Sequence, residues 1–452
     1  MRSINPATEE IIAEYHELSS DQVEAKLALA DSAFRDWKQT SFSERKEKML
    51  ALSELLKEKK REMGEIATRE MGKPITQAMA EVEKCATVCE YYAQNAQKML
   101  EREVIATEAT ESFVQFDPIG IVLAVMPWNF PYWQVMRFIA PAAMAGNVGI
   151  LKHASNVQGC AQALEGIFLE AGFPRGIFQN LSIGSSKVEA LLRDPRIKAA
   201  TLTGSEYAGR KVAEVAGDEV KHTVLELGGS DPFIVFEDAD LDLVEKMASL
   251  GRLQNCGQSC IAAKRFIVVE QVADEFLRRF KNAFENYIVG DPMNEHTLMG
   301  PMVNLDSLQE IDRQVQDSVA LGAQLITGGK RLGEKGFFYA PTILSGVKKG
   351  MRAYHEEMFG PVASVIVVKD EMEALAVAND TVFGLGSSIW TRDTERAKML
   401  ASQINAGNVF INGIVKSDPR LPFGGSGRSG YGRELSHYGI KEFVNIKTVW
   451  VK

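Results

Sequence analysis

The chain has 452 residues, 45% of them hydrophobic and 25% charged, and a net charge of −9. That length calls for two or three domains of ordinary globular composition. The acidic balance excludes nucleic acid or an anionic membrane as a partner held by charge alone, but not a small anion that needs one or two local cations.

The first residues, "MRSINPATEEII", lack the apolar core of a signal peptide, so a cytoplasmic location is expected. The first hundred residues are expected to be mainly helical. Val23, Leu27, Ala30, Phe34 and Trp37 recur at alternating steps of four and three, the spacing of one helix face. Ile75, Met79, Val82, Ala86, Cys89 and Met99 draw a second stripe after Pro74, which puts Cys89 on a buried face with Cys85 beside it. The five cysteines are an odd number with no sign of a disulfide framework, and no metal site is expected.

From residue 119 short apolar runs alternate with helical patterns: "IGIVLAVMP", "NVGILKHA", "GIFQNLSI", "IKAATLTG" and "HTVLEL". The first of them is too short to span a membrane. Such spacing predicts strand–helix–strand units of a doubly wound α/β domain, whose ligands lie at the carboxyl ends of the strands. Trp128 and Asn129, Lys152, Gly184, Thr203 to Ser205, and Glu226 fall at those ends. A second α/β series runs through "KRFIVVE", "GPVASVIVV", "GSSIWT" and "NVFING" to the glycine-rich "LPFGGSGRSGYGRE". The tail "EFVNIKTVWV" reads as an edge strand able to join another subunit.

Several residues in these segments suit chemistry, and each also has a plainer reading. Cys260 in "GQSC" opens a strand, where backbone amides can face a thiol and an attacked carbonyl; a core cysteine would look similar. Cys256 reads as structural. Glu226 ends an apolar strand before two glycines, a costly place for a carboxylate without a partner or a task, although a salt-bridged glutamate fits too. Asn129 in "PWNFPYW" offers an amide to an oxyanion, or satisfies its own turn. Lys152 follows an apolar strand, where it can meet a phosphate or simply face solvent. No G-x-G-x-x-G fingerprint marks a strand–helix junction.

Together PWNFP, the lysine strand, TGS, LELGG, GQSC, EEMFGPV and PFGGSGRSGYGRE stand in the order and spacing of the aldehyde dehydrogenase superfamily. The resemblance runs from "INPAT" to the last strand, and the chain is most similar to compact bacterial succinate-semialdehyde dehydrogenases. It implies an α/β fold with a Rossmann-type cofactor domain (1–101 and 119–226), an α/β catalytic domain (227–432) and a small β oligomerisation element (102–118 and 433–452). It implies that Cys260 attacks an aldehyde carbonyl, that Asn129 and the Cys260 N–H hold the oxyanion, and that Glu226 activates the hydrolytic water. On the cofactor side it implies Glu357 and Phe359 at the nicotinamide end, Gly204 and Ser205 near the pyrophosphate, and Trp128 and Lys152 on the adenosine side. The family often carries a glutamate three residues after the lysine; here Ser155 stands there. Serine beside Lys152 leaves room and a cation for a 2′-phosphate, so NADP is expected ahead of NAD.

Arg137 lies one or two helical turns after Asn129, where an arginine among apolar residues needs a partner. A bidentate grip on a substrate carboxylate supplies one, with Ser417 as a second donor; an internal acid is the other reading. The expectation is a homodimeric or homotetrameric enzyme oxidising a carboxylate-bearing aldehyde, best succinate semialdehyde. The rival readings are a broad-range aldehyde dehydrogenase with a structural Arg137, a coenzyme-A-acylating enzyme, a thiol hydrolase, and a catalytically silent binding protein.

Overall fold

The apolar runs after residue 119 pair as parallel strands. In the computed structural model, which describes all 452 residues, Ile121–Met126 is flanked by Val148–His153 and Ile197–Thr203, with Phe178–Asn180 and His222–Glu226 beyond them. Ile121–Met126 and Ile197–Thr203 are neighbours whose crossovers run in opposite directions, so a crevice opens at their carboxyl ends. A second sheet centres on Ala263–Val269. It carries Val362–Val368, Thr342–Ser345 and Gln324–Thr327 on one side, and Asp231–Val235, Gly386–Trp390 and Asn408–Ile411 on the other. Strands such as "VASVIVV" are apolar on both faces because helices cover both.

The N-terminal helices pack on the first sheet. Ser20–Trp37 starts at a capping box of Ser19 and Gln22, and Ile75–Met99 buries Ile75, Val82, Cys85, Ala86 and Cys89. Both cysteines of that helix are packing residues. Glu81, on the same helix, accepts hydrogen bonds from the backbone N–H groups of Tyr132 and Trp133 at 2.8 and 2.9 Å and pairs with buried Lys73. That carboxylate caps Trp133–Ala145 and locks its first turn onto Ile75–Met99. Lys84, Trp133 and Arg137 consequently line one cavity.

Glu103–Val104, Glu111–Pro118 and Val444–Val451 form a separate antiparallel sheet with Val444–Val451 at its edge. The glycine-rich segment departs from the expected segmentation. Gly430–Tyr431 pairs antiparallel with His222–Glu226, setting Gly430 opposite Glu226. Residues near the end of the expected 227–432 segment therefore belong to the first sheet. Only glycine fits at Gly430: its φ is +108°, and a Cβ there would lie 1.9 Å from the Leu225 carbonyl oxygen. No helix is long and apolar enough to cross a membrane.

Candidate active site

The loop after Leu241–Leu253 runs along the seam between the two domain cores. Cys256 packs in the core of the second sheet, whereas Cys260 and Ile261 pack against the first. Three successive residues, Asn255, Cys256 and Gly257, have positive φ of 54°, 56° and 69°. Such backbone persists where surrounding bonds over-determine it. Asn255 supplies several: its Nδ2 donates to the carbonyls of Asn129 and Gln258 at 2.8 and 3.1 Å, and its N–H donates to Gln77 Oε1 at 2.9 Å. Gln258 Oε1 accepts from Val303 N–H at 2.8 Å. Beneath the loop, buried Lys264 donates to the carbonyls of Ser259, Cys260 and Ala262 at 3.0, 2.7 and 3.2 Å and faces Glu357 at 3.4 Å.

This bracing presents the Cys260 thiol, partly exposed, to a cavity of about 320 Å³. Burial pushes the thiol up to about 12, while Arg137 and then Lys264 pull it back toward the thiolate. The Cys260 N–H donates to no backbone acceptor. Asn129 Nδ2 donates to the Gln258 carbonyl at 3.0 Å, and its Oδ1 accepts from Gln134 Nε2 at 3.1 Å. Gln134 thus turns the amide toward the cysteine loop, with one N–H left over. Cys256 is buried, its Sγ 3.7 Å from Met302 Sδ.

Glu226 ends its strand fully enclosed, and neither carboxylate oxygen has a hydrogen-bond partner. Burial holds its carboxyl well above the usual range; nearby Glu434 adds to this, and Arg137 and Arg433 oppose it. Neither Glu226 nor Asn129 lines the cavity wall; Cys260 does.

Arg137 is not left without an internal partner. Its Nε contacts the Glu434 carboxylate, both side chains are buried, Nη2 lies 3.3 Å from Thr203 Oγ1, and the guanidinium stacks on Phe423 at 4.7 Å. Of the two readings of Arg137, the fold supplies the internal acid. Glu434 sits inside the quoted "GYGRE", but nothing in one dimension links it to a residue on the helix after Asn129. Arg137 still lines the cavity.

A second cation, Lys84, shares that cavity. Its Nζ donates to Ser417 Oγ at 2.8 Å and lies 4.1 Å from the Trp133 ring centroid, and Trp133 Nε1 also donates to Ser417 Oγ, at 3.0 Å. Sequence reasoning reached Ser417 but missed Lys84, whose partner is 333 residues away. Lys264 was missed as well, being hidden in an apparently ordinary strand start.

The other expected ligands ring the crevice of the first sheet. Lys152 is buried at 8% exposure, and burial lowers its pKa. No carboxylate pairs with it, and exposed Ser155 follows closely in the chain. An orphaned ammonium at a strand end fits an anionic group of a nucleotide. A Cβ at Gly204 would touch only Leu202, at 3.7 Å, and Ser205 Oγ caps Glu206–Asp218, whose amino end suits a pyrophosphate. Glu357 Oε1 accepts from Gly229 N–H at 3.1 Å. Trp128 meets Phe359 edge to face at 5.9 Å. Trp128, expected on the adenosine side, thus stands beside Phe359, expected at the nicotinamide end.

A thiol beside a cation-lined cavity, a strand-end carboxyl and a crevice at the strand ends of the first sheet have counterparts in known proteins. The aldehyde dehydrogenase family model matches residues 1–449. A Mycobacterium tuberculosis protein named succinate-semialdehyde dehydrogenase [NADP(+)] 1 is 50% identical over 452 residues, covering 99% of each chain. An Escherichia coli protein named succinate semialdehyde dehydrogenase [NAD(P)+] is 46% identical over 448 residues, covering 99% of this chain and 97% of its own. The Streptococcus pyogenes succinic semialdehyde dehydrogenase structure with NADP+ superposes with a TM-score of 0.98 at 38% identity, over 100% of this chain and 99% of that one. The chain belongs to the aldehyde dehydrogenase family.

Proposed function

We propose that the protein oxidises succinate semialdehyde to succinate with NADP, accepting NAD less well. The observation that carries this reading is a cavity open to Cys260 and lined by three cations, Lys84, Arg137 and Lys416, of which only Arg137 has an internal acid as partner. An aldehyde bearing a carboxylate brings the missing negative charge. The names and cofactors of the two relatives and of the superposed structure support it.

The Cys260 thiolate adds to the aldehyde carbon, forming a C–S bond and an oxyanion. The Cys260 N–H and the spare N–H of Asn129 Nδ2 stabilise that charge. NADP, when bound, supplies the hydride acceptor. Lys152 and Ser155 would hold its 2′-phosphate, Gly204 and Ser205 its pyrophosphate, Glu357 its nicotinamide ribose, and Phe359 with Trp128 would flank the ring. Glu226, once ionised, takes a proton from the water that attacks the thioester, and the Cys260 thiolate leaves as succinate forms. NADPH production from succinate semialdehyde should exceed that from butanal by at least about a hundredfold in kcat/KM, as expected of a charge-assisted grip. Equal rates would leave the rival reading, a broad-range aldehyde dehydrogenase; the Arg137–Glu434 pair is the observation that favours that rival. The complete Cys260, Glu226 and Asn129 set speaks against a silent member.

The same reading includes a homodimer or homotetramer joined through Val444–Val451, whose Ile446 and Trp450 are 62% and 49% exposed. Sedimentation should give a multiple of the 49.9 kDa chain. A monomer would remove this part.

A further inference from the structure

Lys264 is wholly buried, four residues after Cys260, at the start of the strand Ala263–Val269. A buried ammonium is costly unless its charge and its N–H groups are all answered. Here they are. The carbonyls of Ser259, Cys260 and Ala262 accept from Nζ at 3.0, 2.7 and 3.2 Å, and Glu357 Oε1 lies 3.4 Å away. A neutral amine has only two N–H groups, so three carbonyls and a carboxylate call for the charged form. Burial lowers the pKa of Lys264, and Glu357 and then Asp231 work against that shift. One of the three carbonyls has a further consequence. The Ser259 C=O and the Cys260 N–H belong to one trans peptide plane, in which they point in opposite directions. Fixing the carbonyl therefore aims the N–H. The Ser259 carbonyl is held twice, by Lys264 Nζ and by the Ala262 N–H at 3.2 Å, whereas the Cys260 N–H donates to no backbone acceptor.

We propose that Lys264 is a positioning residue which, through the Ser259 carbonyl, aims the Cys260 N–H at the oxyanion and strengthens it as a donor. A cation on the carbonyl oxygen draws electron density through the amide and leaves the N–H hydrogen more positive. The proposal rests on the reading above, in which the Cys260 N–H stabilises the oxyanion, and names what sets that donor. Lys264 is itself held in place: Glu357 Oε1, which it faces, is fixed by the Gly229 N–H at 3.1 Å. The donor thus stands ready before an aldehyde arrives, the condition under which such a group lowers the barrier.

Two reactions of the Cys260 thiolate separate this role from thiol activation and from loop stability. With p-nitrophenyl acetate the thiolate attacks the ester carbonyl, an oxyanion forms, and p-nitrophenolate leaves as the C–S bond is made. With iodoacetamide the same thiolate displaces iodide, and no oxyanion arises. In full-length Lys264→Met the single-turnover acylation rate should fall by about tenfold or more beyond any fall in alkylation. A loosened loop or a less acidic thiol lowers both reactions alike, so equal losses, or no loss, would overturn the proposal. A second measurement leaves Lys264 intact. In crystals of Glu226→Gln treated with the same ester, whose thioester is expected to persist, the thioester oxygen should lie within hydrogen-bond distance of the Cys260 N–H. Lys264 Nζ should remain on the Ser259 carbonyl; an oxygen in place with Lys264 swung off that carbonyl would overturn the proposal. A thioester oxygen turned away from the Cys260 N–H marks the failure of the oxyanion reading, and the role of Lys264 falls with it. An oxygen in place with equal losses in Lys264→Met marks the failure of the Lys264 role alone.

Discussion

Cys260→Ala should lower turnover by about a thousandfold or more, because nothing else in the loop can form the covalent bond. Cys256→Ala should keep most activity and lose about 1 kcal/mol of stability, since its sulfur only fills space against Met302. Stopped-flow NADPH formation and thermal melts read the two. Glu226→Gln should spare the first hydride transfer and slow the thioester step, giving a burst and then a low steady rate; equal loss of both phases would reassign Glu226 to thiol activation. The pH dependence has a definite sign. In the proposed function Glu226 serves as a base when ionised, and its carboxyl is held well above the usual 4.5. Steady-state kcat should therefore climb with pH through a limb displaced upward. Glu434→Gln removes the repelling charge and frees Arg137, so that limb should move to lower pH. Stability runs the opposite way: the protonated carboxyl suits the folded state, so this contribution fades as pH rises through the raised value, and Glu226→Gln should flatten the fall.

Elements, rather than single atoms, set the thiol's aim. In the stretch Asn255–Gly257 a Cβ at Gly257 would lie 2.3 Å from the Gly360 carbonyl oxygen, on a backbone with φ of +69°. Gly257→Ala should cost about 1–3 kcal/mol and lower kcat even where the fold survives. After Val148–His153, Ser155→Glu should weaken NADP far more than NAD by setting a carboxylate against the 2′-phosphate beside Lys152. The ratio of kcat/KM for NADP over NAD should exceed one in wild type and fall in the variant; a wild type preferring NAD would remove the basis for this assignment. The strands themselves were readable because runs such as "IGIVLAVMP" and "KRFIVVE" carry their pairing in local composition. Cys260, Asn129 and Glu226 stood out by their places at strand ends or loop turns, each with a plainer reading beside it, and only the family resemblance gave them roles. Lys84, Glu434 and Lys264 did not stand out, because each acquires its meaning from a partner brought near by folding. The same limit hid the contact of Trp128 with Phe359, which is distant in sequence.

At the scale of the molecule, the strand-end crevice belongs to one sheet and the cysteine loop springs from the other. Sequence composition separated the two α/β series, but it could not show that Gly430–Tyr431 crosses back to the first sheet and brings Glu434 to Arg137. Asn255 spans the divide, tying the cysteine loop to the Asn129 carbonyl. That tie makes the thiol a gauge of alignment between two halves that each retain their own core. Low urea, which loosens a seam before it melts a core, should erode turnover while far-ultraviolet dichroism is still unchanged. Bound NADP should delay that early loss, acting as a clasp across the join as well as a reactant.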